Sequence, residues 1–155
     1  MPTRPILPAM LPTMLLALLA APAASAQAPA PVTSPGGLWR TIDDKTGRES
    51  GAVRIVETNG TLYGNIERIT DPARAKLTCT NCTDDRKGKP LIGLNIVRGL
   101  KPDGAGWSGG TIVDPESGSI YKSSMKLEDG GRKLSVRGYL GISLFGRSQT
   151  WLRAE

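Results

Sequence analysis

The chain has 155 residues, a formal net charge of +6 from 20 Lys and Arg against 14 Asp and Glu, and no His. That length supports one domain with a modest core. The missing His excludes Ser-His-Asp and Cys-His arrangements and the usual neutral-pH general base, and the scattered basic residues (Arg40, Arg54, Arg74, Lys76, Lys101, Lys122, Arg137) form no tract interleaved with aromatics that would bind nucleic acid.

Residues 1–26 read as a secretory signal. Arg4 supplies the charged start, residues 10–20 the apolar run, and Ala24-Ser25-Ala26 the cleavage site. The run is too short to span a bilayer and contains Pro12, and no Cys follows it as a lipid attachment point. Cleavage after Ala26 predicts a periplasmic or secreted protein that does not span the membrane. Residues 27–36 are rich in Ala and Pro and predict an extended tether. Residues 37–155 are then the single domain, with a charge of +5 once Arg4 has left. A mildly basic exported domain suits an anionic ligand or envelope surface, or simple solubility.

Helical periodicity is nearly absent after the signal, and Gly is abundant. Residues 37–42 predict a first strand, followed by a turn through Asp43-Asp44-Lys45-Thr46-Gly47. Residues 51–58 alternate Val53 and Ile55 against Arg54 and Glu57 as a second strand. Asn59-Gly60 is the strongest short hairpin signal and leads to a third strand over residues 61–69. Residues 71–89 are the one long irregular segment and hold both Cys. Residues 90–98, apolar on both parities, predict a fourth strand covered on both faces, and Lys101-Pro102-Asp103-Gly104 a turn. A fifth strand over residues 107–113 contains Gly109-Gly110, where a bulge or sharp bend is expected. Turns at Asp114-Pro115-Glu116-Ser117-Gly118 and Glu128-Asp129-Gly130-Gly131 separate strands over residues 120–127 and 133–140, and residues 144–153 are the last strand.

About eight strands joined mostly by hairpins predict an all-β fold, a small up-and-down antiparallel barrel. The ends agree with closure, because Gly37-Leu38-Trp39 opens the domain and Gln149-Thr150-Trp151-Leu152-Arg153 ends it. Closure removes exposed sheet edges and can enclose a cavity. It points to a ligand-holding module more than to a catalyst.

Cys79-Thr80-Asn81-Cys82 has three readings. A local disulfide suits an oxidising compartment. A redox dithiol wants a helix N-terminus, and the surroundings here are strand and loop. Two Cys are half of a structural zinc site, and no His completes it. The disulfide is the favoured reading, with a redox or metal function as the alternative. The carboxylate pairs Asp43/Asp44, Asp84/Asp85 and Glu128/Asp129 sit in turns, and no Gly-rich segment opens a helix as a phosphate loop does. No catalytic residue, cofactor or metal is therefore predicted.

Binding residues are easier to name. Arg147, Gln149, Trp151 and Arg153 share one parity of the last strand, and Arg137 and Tyr139 share one face of the preceding strand. If these faces point inward, Arg137, Tyr139, Arg147 and Gln149 converge as polar anchors, and a buried Arg needs an anionic partner. If Leu134 and Val136 face inward instead, the interior is apolar and suits a lipid-like guest or a filled core.

The chain resembles the bacterial secreted proteins grouped as domain of unknown function 2147. The resemblance is carried by Gly37-Leu38-Trp39, Asn59-Gly60-Thr61-Leu62-Tyr63-Gly64-Asn65-Ile66, Cys79-Thr80-Asn81-Cys82, Lys89-Pro90-Leu91-Ile92-Gly93-Leu94, Trp107-Ser108-Gly109-Gly110-Thr111-Ile112-Val113-Asp114-Pro115, Arg137-Gly138-Tyr139-Leu140-Gly141 and Arg147-Ser148-Gln149-Thr150-Trp151-Leu152-Arg153. It implies a lipocalin-like barrel, exported, with no assigned activity. It also implies that Trp39 closes one barrel end while Arg153 stacks over it and hydrogen-bonds nearby carbonyls. The chain is shorter than a lipocalin and lacks the long final helix. The resulting expectation is a non-catalytic barrel that binds a small hydrophobic or amphipathic anionic molecule in the cell envelope. The alternative is an envelope module that binds protein or glycan through its surface.

Overall fold

The computed structural model describes Met1 and residues 33–154. The expected signal and most of the expected tether lie outside the described residues. Eight strands follow in order: β1 (Gly37–Ile42), β2 (Glu49–Thr58), β3 (Thr61–Ile69), β4 (Asn95–Asp103), β5 (Gly106–Val113), β6 (Ile120–Glu128), β7 (Lys133–Tyr139) and β8 (Gly146–Arg153). Each pairs antiparallel with the next, and β8 pairs with β1, so the meander is a closed barrel. Two short 3-10 turns, Arg74–Lys76 and Asp129–Gly131, are the only helical elements among the described residues.

Short hairpins set one end of the barrel. Asn59 and Gly60 both take positive φ, 51° and 71°, which is the geometry a tight two-residue hairpin needs. The bend expected at Gly109-Gly110 is present as a register shift between Trp107 and Gly110. A Cβ on Gly110 would stand 2.3 Å from the Arg98 carbonyl oxygen, so only Gly fits there.

The β2–β3, β4–β5 and β6–β7 connections lie at this first end, together with the start of β1 and the finish of β8. The interior there is packed solid. Trp39, Leu62, Leu100 and Leu134 have no exposed surface, and Val97, Ile55 and Met125 fill the space between them. Opposite registers stack these side chains, with Leu62 across from Leu100 and Leu134 across from Leu127 and Trp151. Arg153 seals the end. Its guanidinium lies 4.2 Å from the Trp39 ring and donates to the carbonyls of Gly131, Gly36 and Ser34 at 2.7, 2.9 and 2.8 Å. Trp39 Nε1 donates to Pro35 O at 2.8 Å. Residues 34–36, at the end of the expected tether, are thus docked on the barrel.

Three elements depart from the sequence expectation. The fourth strand begins at Asn95 rather than residue 90. Residues 90–94 are apolar on both parities because they cross the barrel as a loop, with Leu91 and Leu94 buried against the core and Gly93 N donating to Ile66 O at 2.7 Å. The segment Lys101-Pro102-Asp103 continues β4, opposite Ser108, Trp107 and Gly106, so the turn is confined to residues 104–105. The last strand begins at Gly146, which leaves residues 140–145 as a loop.

Candidate functional site

The β1–β2, β3–β4, β5–β6 and β7–β8 connections lie at the second end, and between them a cavity of about 500 Å³ opens to solvent. Strand alternation decides what lines it. Val53, Ile66, Ile96, Ile112, Val136 and Trp151 form its walls and floor. Below them begins the packed half. Tyr121 and Gln149 bring polar atoms to the same wall, and Gln149 Oε1 accepts from Trp151 Nε1 at 3.2 Å. Ser123, paired with Gly110 and Gly138, is fully buried, and its hydroxyl has no hydrogen-bond partner among the described residues.

The mouth is charged. Arg147 Nε and Nη2 donate to Asp44 Oδ2 at 3.0 and 2.5 Å and tie β8 to the β1–β2 loop. Arg74 pairs with Glu116, and Arg68 pairs with Glu49. These three rim cations are held by carboxylates, whereas Lys45 lines the mouth with no ion pair among the described residues, so an incoming anion can meet Lys45 directly or exchange with a paired carboxylate. Asp43 Oδ1 accepts from the backbone N–H groups of Thr46 and Lys45 and from the Thr46 hydroxyl. Those bonds, Thr46 foremost, hold its carboxyl below the usual carboxylate range.

The four expected anchors separate. Arg147 and Gln149 line the cavity, because the β7–β8 register sets Gln149 opposite inward-facing Val136 and Arg147 opposite Gly138. Apolar Leu134/Val136 and polar Arg147/Gln149 thus share one interior face, although the sequence pattern presents them as alternatives. Tyr139 falls on the opposite parity and reaches only the rim. Arg137 does not line the cavity. It lies on the outer face and donates to Ser143 O, Leu144 O and Ser148 Oγ, which pins the β7–β8 loop. Sequence reasoning missed Tyr121, Ile112 and Asp44. The first two share an inward parity legible in their strands, whereas the Asp44–Arg147 contact joins residues too distant for any local pattern.

The long β3–β4 connection forms one side of the mouth. Cys79 and Cys82 are joined by a disulfide and are almost fully buried. Asn81 Nδ2 donates to Glu116 O at 2.6 Å, and Cys79 Sγ lies 3.6 Å from Pro115 O. The stapled turn thus sits against the β5–β6 loop. Gly118, at φ 75°, makes the contact possible, since a Cβ there would stand 1.9 Å from Asn81 O. The same segment buries Arg86, which donates to Asp84 through Nε at 3.0 Å and to Asn95 O through Nη1 at 3.2 Å. Hydrogen bonds from Arg86 hold the Asp84 carboxyl low, and those from Arg98 do the same for Asp85. Among the described residues no three His, Cys, Asp or Glu side chains come together as a metal site. None of the described helices is long and apolar enough to cross a membrane.

Comparison with known proteins agrees with this geometry. Among solved structures, Protein HP1028 from the human pathogen Helicobacter pylori, described as belonging to the lipocalin family, superposes with a TM-score of 0.68 at 18% identity. The match covers 79% of this chain and 84% of that one. At that identity the likeness is one of fold. No curated protein matches the chain significantly. The model of a family described as an uncharacterized protein conserved in bacteria (DUF2147) matches residues 37–153. With that match spanning the whole barrel, the chain belongs to the DUF2147 family and its fold is a lipocalin-like barrel.

Proposed function

We propose that this protein is a non-catalytic carrier or sensor that holds one small amphipathic molecule in its cavity, after export to the cell envelope. The carrying observation is the division of the barrel into a packed half and an open half of about 500 Å³, inside the roughly 300–1,000 Å³ range of small-molecule sites. Apolar walls suit a hydrocarbon or ring system. The polar end of the guest belongs at the mouth, where Arg147 can release Asp44 to accept a carboxylate or phosphate. Gln149 and Tyr121 offer neutral hydrogen bonds partway down. Both Cys are oxidised and buried, which favours a structural staple over redox or metal chemistry at that pair.

Trp151 lines the cavity and supplies a built-in reporter. Titration with a fluorescent anionic fatty-acid analogue is expected to saturate at one site per chain and to change Trp151 emission. Replacing Arg147 with Ala should weaken the anionic probe several-fold while leaving its neutral alcohol counterpart nearly unchanged. Absence of saturable binding by either probe would count against the carrier reading and favour recognition through the outer surface.

A further inference from the structure

The described residues contain nine exposed large hydrophobic side chains besides Met1, and their distribution is uneven. Val56 and Tyr63 face each other near the β2–β3 hairpin. The other seven belong to segments at the open end, and four of them fall within six residues of the β7–β8 loop. Leu140, Ile142, Leu144 and Phe145 are 63, 58, 80 and 74% exposed. No charged residue interrupts Leu140-Gly141-Ile142-Ser143-Leu144-Phe145-Gly146. Such a cluster on an otherwise polar surface requires an explanation.

We infer that the β7–β8 loop docks the barrel onto an anionic phospholipid surface, with Ile142 and Leu144 entering the lipid and the cavity mouth facing it. Three features favour lipid over a protein partner. First, the backbone oxygens of residues 142–145 already have partners within the protein, which lowers their cost of leaving water. Arg137 caps Ser143 O and Leu144 O, while Leu140 N and Phe145 N donate to Phe145 O and Ile142 O within the loop. Second, Lys122 and Arg137 on the strand segments next to the loop pair with no carboxylate among the described residues, while Arg147 is shared with Asp44 across a mouth whose acidic and basic residues balance. The two unpaired cations give local attraction to anionic headgroups. Third, four side chains on one loop offer only a few hundred Å², short of the roughly 800 Å² per partner in a standard protein interface, and a membrane imposes no such minimum.

The docking argument stands on the loop alone. Its link to the cavity rests on the carrier reading. Leu140 and Phe145 line the cavity mouth, so a docked loop offers an acyl chain an apolar path between bilayer and barrel.

The test is flotation of the purified protein with phosphatidylcholine vesicles, with and without phosphatidylglycerol. Ile142→Ser combined with Leu144→Ser removes the two apolar tips and spares the cavity lining. The wild type should float with the phosphatidylglycerol vesicles, and the double variant should partition at least about tenfold less. Its thermal midpoint and its fatty-acid-probe binding should be unchanged, so docking and carrying can fail separately. A Leu144→Trp variant, whose added indole should be quenched by brominated lipid, reads insertion without removing the loop. The inference is overturned if the wild type stays with the soluble fraction, or if the double variant floats equally well. It is also overturned if sedimentation reveals a dimer that the double variant dissolves, which would make a second copy the occupant.

Discussion

At the closed end of the barrel, apolar side chains from every layer interlock, and Arg153 spreads over Trp39 to hold three carbonyls. At the open end, strands of the same barrel surround a cavity of about 500 Å³, and the contacts around its mouth are ion pairs and a stapled loop. The packed core and the cavity thereby fall at different ends of one meander. The packed end holds the fold against unfolding, so the open end can keep unfilled apolar walls, whose lost packing is costly in a small domain.

The largest effect should come from the closed end. Trp39→Ala removes a fully buried ring and the platform under Arg153, and should cost about 3–5 kcal/mol in urea unfolding. Asp84→Ala leaves the buried Arg86 guanidinium without its carboxylate, and should cost about 2–3 kcal/mol. If the second exceeded the first, the β3–β4 segment and not the closed end would hold the fold. Paired Cys79→Ala and Cys82→Ala removes a very short covalent ring and should cost at most about 2 kcal/mol, with hydrogen exchange rising in residues 70–94 and not in β2–β3.

Acid should separate the two ends more gently. Arg86 and Arg98 hold the Asp84 and Asp85 carboxyls below their unfolded values. Their stabilisation is fully present above an unfolded pKa of about 3.9 and is lost as pH falls through the lower folded values. Exchange in residues 70–94 should therefore accelerate below about pH 4, before the β4–β5 hairpin responds, while the β6–β7 hairpin, where Arg132 holds the Asp129 carboxyl low, should share the acid window. Simultaneous acceleration in residues 70–94 and the β4–β5 hairpin would dissolve the distinction. The smallest effect on stability belongs to Arg147→Ala, whose exposed pair with Asp44 contributes little. Its consequence should appear in anion binding alone.

Local chemistry made much of the closed end legible. Asn59-Gly60 dictates its own turn, Gly109-Gly110 marks its bulge, and a Trp in the first strand with an Arg in the last implies closure. The open end was harder to read because its features depend on register and on contacts between distant segments. That Arg147 and Gln149 face inward beside Val136 follows from how β7 pairs with β8, which alternation within either strand does not set. Leu91 and Leu94 imitate a buried strand because a loop that covers a core carries the same residues. Leu144 and Phe145 resemble the start of β8 for a different reason, being apolar but exposed in the loop that precedes it, and the strand begins only at Gly146.

The most direct test of the central claim is native mass spectrometry of the gently purified protein, expressed from the full sequence, beside an Ile112→Trp variant that fills the cavity from its wall. The account predicts that the wild type carries a single small-molecule adduct, lost on denaturation, and that the folded Ile112→Trp protein carries none. An apo wild type that also refuses fatty-acid probes, or an adduct that persists in the filled variant, would contradict a ligand in the barrel.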